Sequence, residues 1–184
     1  METTTPELRI EQSNYPDNPR HFFEPYTKMF CFVERYNMGD KHSYKHWEFS
    51  GWDDFKNHLI KEHDARVILP IYMYEHSGIA LSTTPFNCRW DSGQIGFIFA
   101  SAKDIRENFG VKKITKAIEQ KVIEQIEFEV KEYDAYVNGD VWDIELFLDD
   151  DDEGMGICTL YGFDELQKEI EVYKNQIPNL VVVE

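Results

Sequence analysis

Apolar positions recur with recognisable periods over most of the chain. Between Thr27 and Tyr36 the residues Phe30, Cys31, Phe32 and Val33 are nearly continuous, as in a well-buried strand, and Asn37-Met-Gly-Asp40 breaks the run. Ser50, with Asp53 three residues on, has the form of a helix start, and Trp52, Phe55, Leu59 and Ile60 follow at helical spacing. Arg66–Tyr74, Ile79–Thr83 and Ile95–Ala100 read as three strands, the last two separated by the turn-rich stretch from Pro85 to Gly93. Ser101 with Asp104 marks another helix start, and Gly110 is placed to end that short helix. The longest element comes next. Ile114, Ile118, Val122, Ile126, Val130, Tyr133 and Val137 step by three or four, so one apolar stripe runs to Asn138-Gly139.

Beyond it, Trp142, Ile144, Leu146 and Leu148 alternate with Asp143, Glu145 and Phe147, the pattern of a half-buried strand. Asp149 to Gly154 is the expected turn, and Gly156 to Tyr161 the returning strand. Asp164 with Gln167 is expected to cap a last helix with Leu166, Ile170 and Tyr173 inward, and Val181 to Val183 to add a short strand. Hairpin-like neighbours outnumber parallel crossovers, so the expected class is α+β: a mostly antiparallel sheet with helices packed on one face. Residues 1–26 carry Pro6, Pro16, Pro19 and Pro25 without a sustained period. They are expected to be a flexible or edge-following lead-in to a single domain over residues 27–184.

Composition narrows the function classes. The chain has 184 residues, 42% of them apolar and 15% aromatic, enough for a real core. Its 19 Lys/Arg stand against 35 Asp/Glu, a formal charge of -16. That balance excludes ordinary binding to a nucleic-acid backbone, which needs cations at the phosphates, and argues against docking on anionic membranes. No apolar run approaches the roughly 20 residues of a membrane span. The first residues lack a basic and apolar leader, and the three cysteines (Cys31, Cys88, Cys158) are few and far apart. Both point to a cytoplasmic protein with reduced thiols.

The charge is uneven. Residues 1–115 hold 14 Lys/Arg and 16 Asp/Glu, a net of -2, whereas residues 116–184 hold 5 and 19, a net of -14. Two readings stay open: a solvated face that keeps the protein soluble, or a mimic of the phosphate backbone that occupies the basic groove of a nucleic-acid-processing enzyme. The second assigns partner binding to Asp149, Asp150, Asp151, Asp152 and Glu153, supported by Glu124, Glu127, Glu132 and Asp134 on the long helix, where Lys121 and Lys131 interrupt the acids. The acidic turn does not have the alternating ligands, central Gly and terminal Glu of a calcium loop. His42, His46, His58 and His63 lie close in sequence, but no Cys pair accompanies them and their spacing does not place them on one helix face. No metal or cofactor is expected.

The densest polar stretch runs from His76 to Gln94. A cysteine nucleophile needs a base within reach and a group to orient that base, and Cys88, His76 and Asp91 supply those types across a hairpin. The competing reading is a small packed Cys inside a complex turn. Glycine-rich phosphate loops and nucleophile elbows are absent from the sequence.

Tyr74-x-His76-Ser77-Gly78, Ser82-Thr-Thr-Pro-Phe86-x-Cys88-x-Trp90-Asp-Ser-Gly-Gln94-x-Gly96 and Tyr133-Asp-x-Tyr136-x-x-Gly139-Asp-Val141 together resemble a family of small acidic proteins encoded by bacteriophages and mobile elements. The resemblance extends over roughly residues 29–162. It departs from the family pattern at Trp142-Asp143, where an aromatic-Gly pair is usual, and at Thr159, where a Trp is expected beside Cys158. The resemblance implies a bacterial cytoplasmic setting, and no enzyme activity follows from it. Small acidic proteins in that setting commonly block host machinery such as restriction enzymes, CRISPR effectors or polymerases. The expected function is thus an anti-defence inhibitor that binds a host protein with a basic nucleic-acid-binding surface. The alternatives are a small hydrolase or nucleotide-binding protein using His76–Gln94, and a homodimer or larger homo-oligomer without inhibitory role.

Overall fold

The computed structural model describes residues 5–33, 35–148, 154 and 156–184. In chain order the elements are β1 (Glu7–Gln12), α1 (Pro19–Phe22), β2 (Lys28–Cys31), α2 (Trp52–His63), β3 (Ala65–Glu75), β4 (Ile79–Ser82), β5 (Ser92–Ser101), α3 (Ala102–Phe109), α4 (Lys116–Asn138), β6 (Val141–Phe147), β7 (Ile157–Tyr161), α5 (Phe163–Gln176) and β8 (Val181–Val183). The class is α+β, and every strand pair except β1–β8 is antiparallel. The strands form two four-stranded sheets, ordered β7-β6-β1-β8 and β2-β5-β3-β4. The chain divides into two compact units, Met1–Asn18 with Ala135–Glu184, and Pro19–Asp134. No described helix is long and apolar enough to cross a membrane.

In the discontinuous unit, Glu7–Gln12 is a full strand between β6 and β8, where the proline-rich lead-in suggested none. Leu8 and Ile10 are the reason: they are buried with Ile144 of β6 and with Leu166 and Ile170 of α5. Two alternate apolar positions suffice once a partner strand is supplied from 130 to 140 residues away. The first backbone N–H of α5, at Phe163, is met by Asp140 Oδ2 at 3.0 Å, so this cap comes from the α4–β6 turn, and Asp164 adds charge to the first turn.

The continuous unit is built on β5, whose residues Ile95 to Ala100 are all buried, with β2 and β3 on either side. On one face α2 packs Phe55 and Leu59 against Phe30, Phe97 and Phe99. The rings meet edge-on or tilted, Phe30–Phe99 at 5.3 Å and Phe32–Phe55 at 4.8 Å, the arrangements aromatic quadrupoles favour. Ser101 Oγ accepts the Asp104 N–H at 3.0 Å to start α3, and Gly110 ends it in the left-handed conformation, at φ 62°.

Candidate functional site

The acidic excess follows the structural division. The discontinuous unit holds 17 Asp/Glu and 3 Lys/Arg, a net of -14; the continuous unit holds 18 and 16, a net of -2. Because Leu8, Ile10 and Ile144 face α5, strand alternation sends Glu7, Arg9 and Glu11 of β1 and Asp143 and Glu145 of β6 to the opposite face of the sheet. The register sets Arg9 opposite Glu145 and Glu11 directly opposite Asp143. Arg9 Nη2 lies 3.3 Å from Glu7 Oε2, and its guanidinium sits 3.9 Å from the centre of the Phe147 ring. Asp143 Oδ1 accepts the Thr159 hydroxyl at 2.6 Å. A groove of about 390 Å3 runs along this face, lined by Arg9, Glu11, Asp143, Glu145, Val183 and Glu184. The single arginine is already drawn toward Glu7 and Phe147. Glu11 and Asp143 form a like-charge pair across adjacent strands, which costs stability wherever nothing neutralises it.

The other sequence-derived acids are placed less uniformly. Asp149, Asp150, Asp151, Asp152 and Glu153 lie outside the described residues. Glu124 and Glu127 are exposed on α4, and Glu124 accepts a hydrogen bond from Gln120 Nε2 at 3.2 Å. Glu132 is half-buried. Asp134 is spent inside the fold, its Oδ1 accepting the Leu81 N–H of β4 at 2.7 Å. These four belong to the continuous unit, apart from the acid-rich one.

Cys88, His76 and Asp91 do come together. Cys88 Sγ donates to Asp91 Oδ2 at 3.4 Å, and His76 Nδ1 lies 3.6 Å from the same oxygen. The order is Cys–Asp–His, with the carboxylate in the middle and no hydrogen bond from His76 to Cys88 among the described residues. A thiol activated by imidazole needs the ring next to the sulfur and the acid behind the ring. The rest of the segment fastens a turn: Ser92 Oγ donates to the Cys88 carbonyl, Thr84 N–H to Ser82 Oγ (3.0 Å), and Glu75 N–H to the Asp91 carbonyl (2.8 Å).

Sequence patterning did not reveal a buried ionic cluster in the continuous unit. Arg20, nearly fully enclosed on α1, donates through Nη1 to Glu129 Oε2 at 2.6 Å and through Nη2 to Asp40 Oδ2 at 2.7 Å. Its remaining N–H groups reach Asp40 Oδ1, Thr27 Oγ1 and the Thr27 carbonyl. Thr27 donates its hydroxyl to Glu129, and Met29 N–H donates to Asp40 Oδ2. Beside it the Cys31 thiol is pushed up to about 12, by burial first and then by the Asp40 carboxylate. Native protein at pH 8 should therefore leave Cys31 unmodified by iodoacetamide, and denatured protein should react there; peptide mapping by mass spectrometry reads the difference. Among the described residues no group of three or more His, Cys, Asp or Glu is placed to hold a metal ion.

No protein-family model, curated protein or solved structure matches this chain.

Proposed function

We propose that the discontinuous unit is a docking surface for the basic groove of a host nucleic-acid-processing protein, to which it presents carboxylates in place of phosphates. The observation that carries this reading is the confinement of the charge excess to that unit, with Glu11 and Asp143 set opposite each other on the sheet face away from α5. A pairing that weakens the fold is the kind of local violation expected where a partner makes use of it. The resemblance to small acidic phage-encoded proteins supports the same reading and supplies its setting, the bacterial cytoplasm. Charge-driven association of this kind is fast, screened by salt, and weakened mainly in its association rate when surface carboxylates are removed.

The test begins with tagged protein passed over bacterial lysate at low and moderate salt, to recover a nuclease, polymerase or defence effector that salt releases. Affinity for that partner is then measured for two variants. One is Glu11→Gln/Asp143→Asn/Glu145→Gln; the other replaces the five acids from Asp149 to Glu153 by their amides. Each should bind at least tenfold more weakly with a shallower salt dependence. The first should also unfold at an equal or higher temperature, since it relieves a like-charge pair. Unchanged affinity in both variants discards the surface. A sharp rise of solution mass with concentration, without any partner, favours the homo-oligomeric alternative.

A further inference from the structure

The continuous unit carries a cleft whose chemistry is opposite to that of the acidic sheet face. Lys41-His-Ser-Tyr-Lys-His-Trp47 places two lysines and two histidines within seven residues of a chain whose net charge is -16. The segment follows β2 and ends in a 3-10 turn, His46–Glu48, held by the Glu48 carboxylate accepting the Lys45 N–H at 2.7 Å. With residues 31–33 and 36–38 it borders an open cleft of about 540 Å3, a volume within the usual range for small-ligand sites. The walls are aromatic: Phe32, Tyr36, Tyr44, Trp47 and Trp52. Trp52 is fixed by Phe97, edge-on at 6.0 Å, whereas Trp47 is 68% exposed and offers its ring to solvent.

Lys41, Lys45 and His46 are all exposed, and all line the cleft. The one carboxylate among its described lining residues is Asp40, already engaged by Arg20 and the Met29 N–H. Among the described lining residues, therefore, no carboxylate is left to neutralise the cations of the cleft. His42 also lines the cleft, its ring held by a hydrogen bond from Nε2 to the Cys31 carbonyl at 3.0 Å. The Cys31 thiol in the wall is buried and held protonated, so the cleft is suited to binding and not to covalent chemistry.

We infer that this cleft binds a nucleotide, with the base stacked on Trp47 and the phosphates held by Lys41, Lys45 and His46. Stacking on an exposed indole accepts any base, and clustered ammonium groups favour a multiply charged phosphate over a single carboxylate. This site is independent of the acidic docking surface and stands or falls without it.

The experiment is a titration of 15N-labelled full-length protein with ADP, with adenosine and pyrophosphate as the two halves of the ligand. ADP should produce saturable shifts confined to residues 31–47 and the Trp52 indole, and should bind more tightly than either half. Trp47→Leu should weaken ADP about tenfold or more, as expected for loss of one stacked base. Lys41→Gln/Lys45→Gln should weaken it and flatten its salt dependence. Both variants alter exposed side chains, and their own spectra report whether the fold is kept. Absence of saturable shifts, equal affinity in both variants, or either half binding as tightly as ADP overturns the assignment.

Discussion

Arg20→Ala should lower the free energy of unfolding by about 3–5 kcal/mol, because it strands two carboxylates that the guanidinium now compensates. Glu129 is 5% exposed and Thr27 fully buried, so the stranded carboxylate at that end is poorly solvated. Asp40, more open, is left with its bond to the Met29 N–H. Much of the loss comes from leaving charge buried, and less from the intrinsic worth of the pair. The double variant Arg20→Met/Glu129→Leu should therefore be more stable than Arg20→Ala alone. Urea unfolding of the wild type and the two variants decides it. An Arg20→Ala loss below about 1 kcal/mol would mean that the cluster behaves like a surface pair.

Gly96→Ala should be comparably damaging for a steric reason. A Cβ at Gly96 would lie 2.0 Å from the Phe30 carbonyl oxygen and 2.9 Å from Cys31 Cα, both backbone atoms of β2. Neither can move without opening the β2–β5 ladder, including the Phe32 N–H to Ile95 carbonyl bond at 2.8 Å. Overpacking alone costs about 1–3 kcal/mol, and lost ladder bonds add to it. Gly93, three residues earlier on β5, is the control: nothing lies within 4 Å of a Cβ there, and alanine should be near neutral or slightly stabilising. Thermal unfolding of both variants tests the contrast, and equal melting temperatures would refute it. The Gly96 requirement also accounts physically for the end of the Ser82–Gly96 motif, which closes a turn and lets two strands approach.

Local periodicity made α2, α3, α4 and the strands β3, β4 and β5 legible, because the apolar spacing matches each element; the start of α2 differs, since Gly51 is its N-cap without a side-chain bond and Ser50 donates to Asp54 in place of Asp53. Ser101, Asp104 and Gly110 behave as their types require. What escaped was non-local. β1 has only Leu8 and Ile10 to announce it, between prolines, and becomes a strand because β6 and β8 flank it. Arg20 sits in a proline-rich stretch that reads as solvent-exposed, and its partners lie 20 and 109 residues away. Asp140, not Asp164, meets the first N–H of α5 for the same reason. At the candidate sites, the meeting of Cys88, Asp91 and His76 was foreseeable from a hairpin, whereas the order of the three was not. The acidic bias was plain in composition. That Glu11 and Asp143 share one sheet face required knowing the β1–β6 register and which parity of the two strands α5 covers.

The interleaving of the two units carries a consequence for biosynthesis. Pro19–Asp134 is contiguous and can be complete while the remainder is still being translated. β1, made first, must wait for β6 and then for Val181–Val183 before its sheet exists. Closing so long a loop is slow, and the waiting strand has two open edges. A ribosome stalled before Val181 would release a chain with its aromatic core formed and its acidic sheet unfinished, a ready substrate for quality-control proteases.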